Sequence, residues 1–210
     1  MPLVRVTNFA ISLDGYGAGE PQSLEAPFGH AGMKLHEWRF ATWRPGAPNG
    51  VDALFGRQYD VGFGAEIMGA NKFGPPGWQD DPDWRGWWGE DPPFHTPTYV
   101  LTHRPREPLE MEGGTTFHFL STSPADALAI AQEAAGDLDV RIGGGATTVR
   151  TFVAAGLVDH LHLAMVPLVL GRGTLLWEGL EGLEEQFHIE SVVAPSGVVH
   201  LSLTRRSPDA

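Results

Sequence analysis

The chain has 210 residues, a length that suits one domain built around a single core. Its 14 basic and 26 acidic residues give a net charge of -12, so nucleic acids and acidic membrane surfaces would be repelled. The absence of cysteine excludes disulfides and thiolate chemistry, and with no 18-residue apolar run and no secretion signal we expect a cytoplasmic protein.

The first half of the chain predicts two strands, two helices and a long packed loop. We predict a buried strand at residues 3–11, followed by a loop rich in glycine and proline at residues 16–32. A short helix at residues 33–43, a second helix at residues 51–60 and a short buried strand at residues 61–69 come next. Residues 73–97 combine many prolines and glycines with four of the seven tryptophans, so we expect an ordered loop without regular structure there.

The second half predicts strands and helices that end in a hairpin. Helices are predicted over residues 123–137, where Ser123 is the cap and Pro124 lies in the first turn, and over residues 147–159. Strands are predicted at residues 98–103, 115–120, 139–144, 160–171, 187–194 and 198–206. The pattern predicts one three-layer α/β domain over residues 1–210, with a mixed central sheet and a C-terminal antiparallel hairpin.

Three consecutive glycines separate a predicted strand from a predicted helix, in the motif Ile142-Gly143-Gly144-Gly145-Ala146-Thr147-Thr148. Without side chains there, a phosphate approaches the backbone closely, and free amides at the start of the helix donate to its oxygens. The motif is neither the dinucleotide-binding glycine pattern nor a phosphate loop, because the spacing differs and no Gly-Lys-Ser/Thr follows. From the residues alone, a pyrophosphate site and a structural tight turn both remain open.

Four segments carry a family resemblance: residues 8–15 (NFAISLDG), 64–75 (GAEIMGANKFGP), 100–105 (VLTHRP) and 143–180 (GGGATTVRTF and the residues that follow). Together they resemble the C-terminal reductase domain of bacterial riboflavin biosynthesis proteins, within the dihydrofolate-reductase-like superfamily. The resemblance implies a dihydrofolate-reductase-like fold, NADPH as the hydride donor and a homodimer paired through the late strands of the sheet.

The resemblance also implies a set of cofactor-binding residues. The glycine motif would hold the pyrophosphate, the end of the first strand would lie beside the nicotinamide, and the segment after residue 101 would face the adenosine 2′-phosphate. The implied residues are Ala10, Ile11, Met68, Gly69, Asn71, Lys72, Thr102, His103, Arg104, Ile142, Gly143, Gly144, Gly145, Ala146 and Thr147.

The chain departs from the family pattern at one position. Where relatives have arginine after Met-Gly, this chain has Ala70, so a cation that pairs with phosphate is missing. Lys72, two residues later, or Arg104 would have to supply that charge. If neither does, the protein binds NADPH poorly or not at all.

Asp14 is the catalytic candidate, because reduction of a carbonyl or imine is helped by a proton donor or by a carboxylate-held water. The resemblance places Asp14 near substrate or nicotinamide, but Asp-Gly at a strand end is equally an ordinary turn pair. Glu37 is interpreted as an exposed helical carboxylate. Glu66 lies within an apolar strand, where it would have to be paired, protonated or directed to a cavity, and the favoured interpretation is an outward-facing side chain.

The histidines and tryptophans give weaker indications. His160 and His162 alternate on one strand face without a third ligand at a recognisable spacing, so no metal site is predicted. His95, His118 and His200 are expected on the surface or on a strand face. Trp78, Trp84, Trp87 and Trp88 are expected mainly to pack the long loop, with one or two of them facing the substrate.

The sequence favours an NADPH-dependent reductase acting on a small carbonyl, imine or pterin-like substrate. Two alternatives use the same scaffold: a non-catalytic nucleotide- or ligand-binding protein, favoured by Ala70, and a flavin-dependent enzyme in which the tryptophans flank the flavin. A reductase specific for dihydrofolate is disfavoured, because the acid that would orient a pterin is not evident.

Overall fold

The computed structural model describes residues 2–47, 49–59 and 61–207. The strands are β1 (Val4–Ser12), β2 (Tyr16–Ala18), β3 (Phe63–Gly69), β4 (Pro97–Leu101), β5 (Leu109–Glu110), β6 (Thr116–Leu120), β7 (Asp139–Gly144), β8 (His160–Val166), β9 (Thr174–Leu175), β10 (Phe187–Val193) and β11 (Val199–Arg205). The α-helices are α1 (Glu37–Thr42), α2 (Val51–Gly56), α3 (Ala70–Phe73), α4 (Pro124–Ala135) and α5 (Ala146–Ala154). No described helix is long and apolar enough to cross a membrane.

A mixed sheet forms the centre of the fold. Its strand order is β10-β11-β8-β1-β7-β3-β4-β6-β5, and β2 pairs with β9 in a small separate sheet. The pairs β8/β1, β1/β7, β7/β3, β3/β4 and β4/β6 are parallel, whereas β5/β6, β8/β11 and β10/β11 are antiparallel. The carboxyl ends of the parallel strands therefore meet at one edge, which is where open α/β sheets bind ligands.

Helices cover both faces of this sheet, because successive strand residues point to opposite sides. On β1, Ile11 packs into the core that contains α4 and α5, whereas its neighbour Ala10 packs with Leu35 and Trp38 of the α1 segment. A third cluster of aromatic residues around Phe73 packs beneath the long loop. The predicted three-layer α/β architecture is confirmed.

The local structure of α4 follows from its sequence. The Ser123 side chain accepts a hydrogen bond from the Asp126 amide at 3.2 Å, and Pro124 occupies the first turn. Its buried side chains are Ala127, Leu128, Ala131 and Ala135, and the three alanines let the helix lie close to the sheet. Sequence patterning therefore predicts this helix well.

Most predicted elements are present, including the C-terminal hairpin formed by β10 and β11. The small β2/β9 sheet was not predicted, because its strands have three and two residues and lie in glycine-rich segments. The long loop begins where α3 ends, at Phe73, and it contains one short 3-10 helix, Trp78–Asp80, that was not predicted.

Candidate functional site

A cavity of about 840 Å³ opens at the carboxyl ends of the parallel strands. Residues that follow β3, β4, β6 and β7 line one end of it, and residues of β1, α1 and the early loop line the other. A volume of this size is in the range of cofactor and small-molecule sites.

The three-glycine turn lies between β7 and α5 in the cavity wall. A Cβ added at Gly143 would collide with the Glu66 carboxylate and the Lys72 ammonium, whereas one added at Gly145 would meet nothing within 4 Å. Gly144 has a φ of +106°, a conformation that only glycine adopts without strain. The turn thus leaves open space in front of the first amides of α5, which lack helical partners and favour an anion.

Most of the predicted cofactor residues line the cavity. They are Ala10, Gly69, Asn71, Lys72, Thr102, His103, Arg104, Gly143, Gly145, Ala146 and Thr147. Ile11, Met68, Ile142 and Gly144 are fully or almost fully buried and are not part of the lining. Ile11 and Ile142 pack in the core that contains α4 and α5, and Met68 packs in the aromatic cluster around Phe73, so these side chains do not reach the cavity.

One end of the cavity is formed by the residues that follow β4 and β6. Thr102, His103 and Arg104 lie there, and the exposed Arg104 guanidinium is 2.7 Å from the Asp80 carboxylate. Ser121 and Thr122 also line this end of the cavity and were not predicted from the sequence. They directly follow the parallel strand β6, a position that could have indicated a ligand site.

Ala70, which replaces the family arginine, begins α3 and lines the cavity. Lys72 lines it too, with its ammonium 2.6 Å from the Glu66 carboxylate. Because Lys72 already has an anionic partner, it is a weaker substitute for the missing arginine than a free cation would be.

Glu66 is 1% exposed, so the interpretation of an outward-facing side chain is wrong. Its carboxylate accepts a hydrogen bond from Arg141 Nε at 2.7 Å and is ion-paired with Lys72 and with a second nitrogen of Arg141. Burial alone would raise the pKa of Glu66, but Arg141 and Lys72 outweigh this effect and hold it below its usual range. Glu66 is therefore the anionic centre of a buried ion cluster.

The structure gives the carboxylate of Asp14 a turn-closing position. It accepts hydrogen bonds from the Ser12 hydroxyl at 2.5 Å and from the amides of Leu170 and Gly171 at 3.1 and 2.7 Å. Burial opposes ionisation, but together these bonds outweigh it and hold the pKa of Asp14 below its usual value. Asp14 is not part of the cavity lining, so this geometry does not support the predicted catalytic role.

The inner end of the cavity contains polar residues that sequence reasoning missed: Thr7, Asn8, His36, Arg39 and Tyr59. Asn8 Oδ1, His36 Nε2 and Arg39 Nε are buried and lack a hydrogen-bond partner within the described chain. Such atoms are costly to leave unpaired and are typical of a binding site. No motif marks these residues, because they come from a strand, a short helix and a loop.

The tryptophan loop packs on itself and contributes to the cavity wall. The indole nitrogens of Trp78 and Trp84 donate to the carbonyl oxygens of Ala70 and Phe73, at 3.1 and 3.2 Å. Trp87 and Trp88 line the cavity. The loop thus combines packing residues with two tryptophans that line the cavity, and their role toward a substrate stays a prediction.

The histidines form a buried hydrogen-bonded chain. The backbone N–H of Asn8 donates to His162 Nδ1 at 3.0 Å. His162 Nε2 is 3.1 Å from His200 Nδ1, and His200 Nε2 is 2.9 Å from the Asp52 carboxylate. Burial, with His200 and His160, lowers the pKa of His162 to about 3, so its ring stays neutral. Of the two expected positions, His200 takes the strand face, on β11, but this face is buried and His200 is 1% exposed.

Glu37 is exposed on α1 and does not line the cavity. In the part of the chain that the structure describes, no three histidine or carboxylate side chains are grouped as metal ligands.

Solved structures of known proteins share this fold. A putative riboflavin biosynthesis protein from Shewanella sp. PV-4 is 22% identical, with a TM-score of 0.56 and coverage of 97% of this chain and 98% of that one. Dihydrofolate reductase from Enterococcus faecalis, solved with NADP(H), is 17% identical, with a TM-score of 0.52 and coverage of 98% and 97%.

The third is a bifunctional deaminase and 5-amino-6-(5-phosphoribosylamino)uracil reductase from Thermotoga maritima, 12% identical with a TM-score of 0.56. The match covers 98% of this chain but 57% of that one, so this chain corresponds to part of that protein. At these identities the likeness establishes the dihydrofolate-reductase-like fold.

Sequence comparison gives the family. No curated protein sequence matches the chain significantly. The family model described as the RibD C-terminal domain matches residues 4–201, nearly the whole chain. The chain therefore belongs to the RibD C-terminal domain family.

Proposed function

We propose that the protein is an NADPH-dependent reductase that transfers a hydride to a small carbonyl, imine or pterin-like substrate. The observation that carries the proposal is the open glycine turn before α5, which faces the same cavity as Arg104. The glycine turn is suited to the pyrophosphate of NADPH, and Arg104 is suited to its adenosine 2′-phosphate. NADPH, when bound, supplies the hydride.

The charge of the lining supports an anionic cofactor. The chain has a net charge of -12, yet the described lining residues include Arg39, Lys72 and Arg104 and no aspartate or glutamate. Glu66 offsets the charge of Lys72, but the pair of Arg104 with Asp80 is exposed and weak, so Arg39 and Arg104 remain to attract a phosphorylated ligand locally. The amides of Ala146 and Thr147 would hold the pyrophosphate, and Thr102, His103 and Arg104 would hold the adenosine phosphate.

The other end of the cavity is suited to a planar substrate. Phe28, Phe40, Trp87 and Trp88 provide aromatic surface, and Asn8, His36 and Arg39 provide unpaired polar atoms. This combination of apolar walls and a few convergent polar groups is typical of small-molecule sites. Membership of the RibD C-terminal domain family and the reductases among the structural neighbours support the same reaction class.

Calorimetric titration with NADPH tests the proposal, because binding of the cofactor requires no knowledge of the substrate. We expect saturable binding with one site per chain. A chain that binds no NADPH, or that carries a flavin when purified, would contradict it.

A further inference from the structure

Reduction of a C=O or C=N bond requires a proton as well as a hydride, and the structure offers few groups that could donate it. The following inference rests on the proposed reductase function. Among the described lining residues there is no carboxylic acid. Burial, with the charges of Arg39 and Lys72, lowers the pKa of His36 to about 3, so an imidazolium is not available there at neutral pH.

Tyr59 lines the same inner end of the cavity and is held firmly. The guanidinium carbon of Arg39 lies 4.2 Å from the centre of its ring, and that of Arg141 lies 4.3 Å away. The Tyr59 carbonyl accepts a hydrogen bond from Arg141 Nη1 at 2.5 Å. The ring therefore has a fixed position between Arg39, which lines the cavity, and Arg141, which binds Glu66.

Cations surround the phenol and favour its ionised form. Burial would raise the pKa of Tyr59, but Lys72, Arg141 and Arg39 together outweigh burial and the opposing charge of Glu66, so the pKa lies below its usual value. A phenol whose anion is stabilised in this way is a better proton donor at neutral pH. Lys72 itself is less suited to the role, because its ammonium is bound by Glu66 at 2.6 Å.

We propose that Tyr59 is the proton donor of the reaction and contacts the oxygen or nitrogen of the bond that is reduced. With NADPH bound, hydride addition to the substrate carbon would move the π electrons of the C=O or C=N bond to the oxygen or nitrogen. That atom takes the proton of the Tyr59 hydroxyl, which leaves a phenolate beside Arg39 and Lys72. A proton from water restores the phenol after product leaves.

The ultraviolet absorbance of tyrosinate tests the ionisation of Tyr59 without cofactor or substrate. The chain has 3 tyrosines, and substitution Tyr59→Phe removes one and keeps its ring. We expect one wild-type tyrosine to ionise below the ordinary value of about 10, and this component to be missing in Tyr59→Phe. Arg39→Gln should move the ionisation of this tyrosine to higher pH. Arg57→Gln, at an exposed arginine outside the lining, should leave it unchanged.

Binding of benzamide in the presence of NADP⁺ tests the contact itself, because its carbonyl oxygen accepts a hydrogen bond but is not reduced. We expect Tyr59→Phe to weaken benzamide binding roughly tenfold, as for loss of one hydrogen bond, and to leave NADPH binding unchanged. The inference is overturned if no wild-type tyrosine ionises early, if the early component persists in Tyr59→Phe, or if wild type binds benzamide no better than the variant. Failure of NADPH to bind wild type would instead overturn the proposed function.

Discussion

Glu66 illustrates what a single residue contributes and why its role was missed. It lies in β3 between apolar neighbours, and its partners are six residues away, at Lys72, and 75 residues away, at Arg141. A buried carboxylate is stable only when such partners satisfy it. The sequence indicated that Glu66 needed explanation, but the partner at position 141 is brought near only by the pairing of β3 with β7.

We predict that Glu66→Gln destabilises the protein by about 3–5 kcal/mol, because it leaves buried cations uncompensated. Urea denaturation measures this difference. The pKa of Glu66 is lowered in the folded state, so its contribution is complete above about pH 4.3, the ordinary value for glutamate, and is lost as pH falls through the lowered folded pKa. The difference in unfolding free energy between wild type and Glu66→Gln should therefore disappear at acid pH.

Glu178→Gln is the matched control, since Glu178 also pairs with an arginine, Arg150, but its side chain is 70% exposed. An exposed pair contributes about 0–1 kcal/mol, so this variant should be nearly as stable as wild type. Equal losses of stability in the two variants would refute the importance of burial at Glu66.

Ala70 provides a second prediction at the residue scale. Substitution Ala70→Arg places a guanidinium at the start of α3, in the cavity wall, and should tighten NADPH binding roughly tenfold through a charge-assisted hydrogen bond. Ala129→Arg, at an exposed position of α4 outside the lining, controls for the added charge. If calorimetry finds the same affinity for wild type and Ala70→Arg, the position does not face a cofactor phosphate.

Among elements, the glycine turn and α5 were the part of the site most accessible to sequence reasoning. Strand, glycines and helix follow each other without interruption, so their placement needs no knowledge of distant contacts. The inner end of the cavity is different, because β1, α1 and the segment after α2 are brought together only by the tertiary fold. Asn8, His36, Arg39 and Tyr59 could not be grouped without it.

We predict that Thr147→Glu weakens NADPH binding at least tenfold, because its carboxylate would repel a phosphate at the start of α5. The fold should be unaffected, since an acidic residue in the first turn of a helix is favourable by about 0.3–1 kcal/mol. Thermal unfolding and calorimetry measure the two effects separately.

Thr151→Glu adds the same charge one turn later, at an exposed position outside the cavity lining. It should bind NADPH like wild type. If both variants lose affinity equally, net charge rather than the helix start controls binding, and the pyrophosphate assignment fails.

At the scale of the whole molecule, the sequence predicted the layered α/β fold, because hydrophobic strands and helices alternate along the chain. It also predicted the C-terminal hairpin, but not that β10 of this hairpin forms one end of the sheet. β10 lies at one end and pairs only with β11 within the described sheet. Ile189 and Val193 on this strand are 44% and 65% exposed, and an unprotected apolar edge of this kind is suited to self-association.

We propose that two chains pair along β10, consistent with the homodimer expected from the family resemblance. Light scattering after size exclusion should give twice the chain mass of 22.7 kDa. The double substitution Ile189→Lys and Val193→Lys should give monomers, because charges on an edge strand oppose pairing. Val61→Lys, at a residue 63% exposed before β3, should leave the dimer intact; a wild-type monomer would exclude this interface.

The most direct test of the reductase proposal is calorimetric titration of the wild-type protein with NADPH and, separately, NADH. The lining of the cavity contains both an open helix start and Arg104, so NADPH should bind roughly ten- to a hundredfold more tightly than NADH through the charge-assisted contact to its extra phosphate. Arg104→Gln should reduce this preference. Equal affinities for the two cofactors would contradict the role of Arg104, and absence of binding by both would contradict the account of the cavity as a cofactor site.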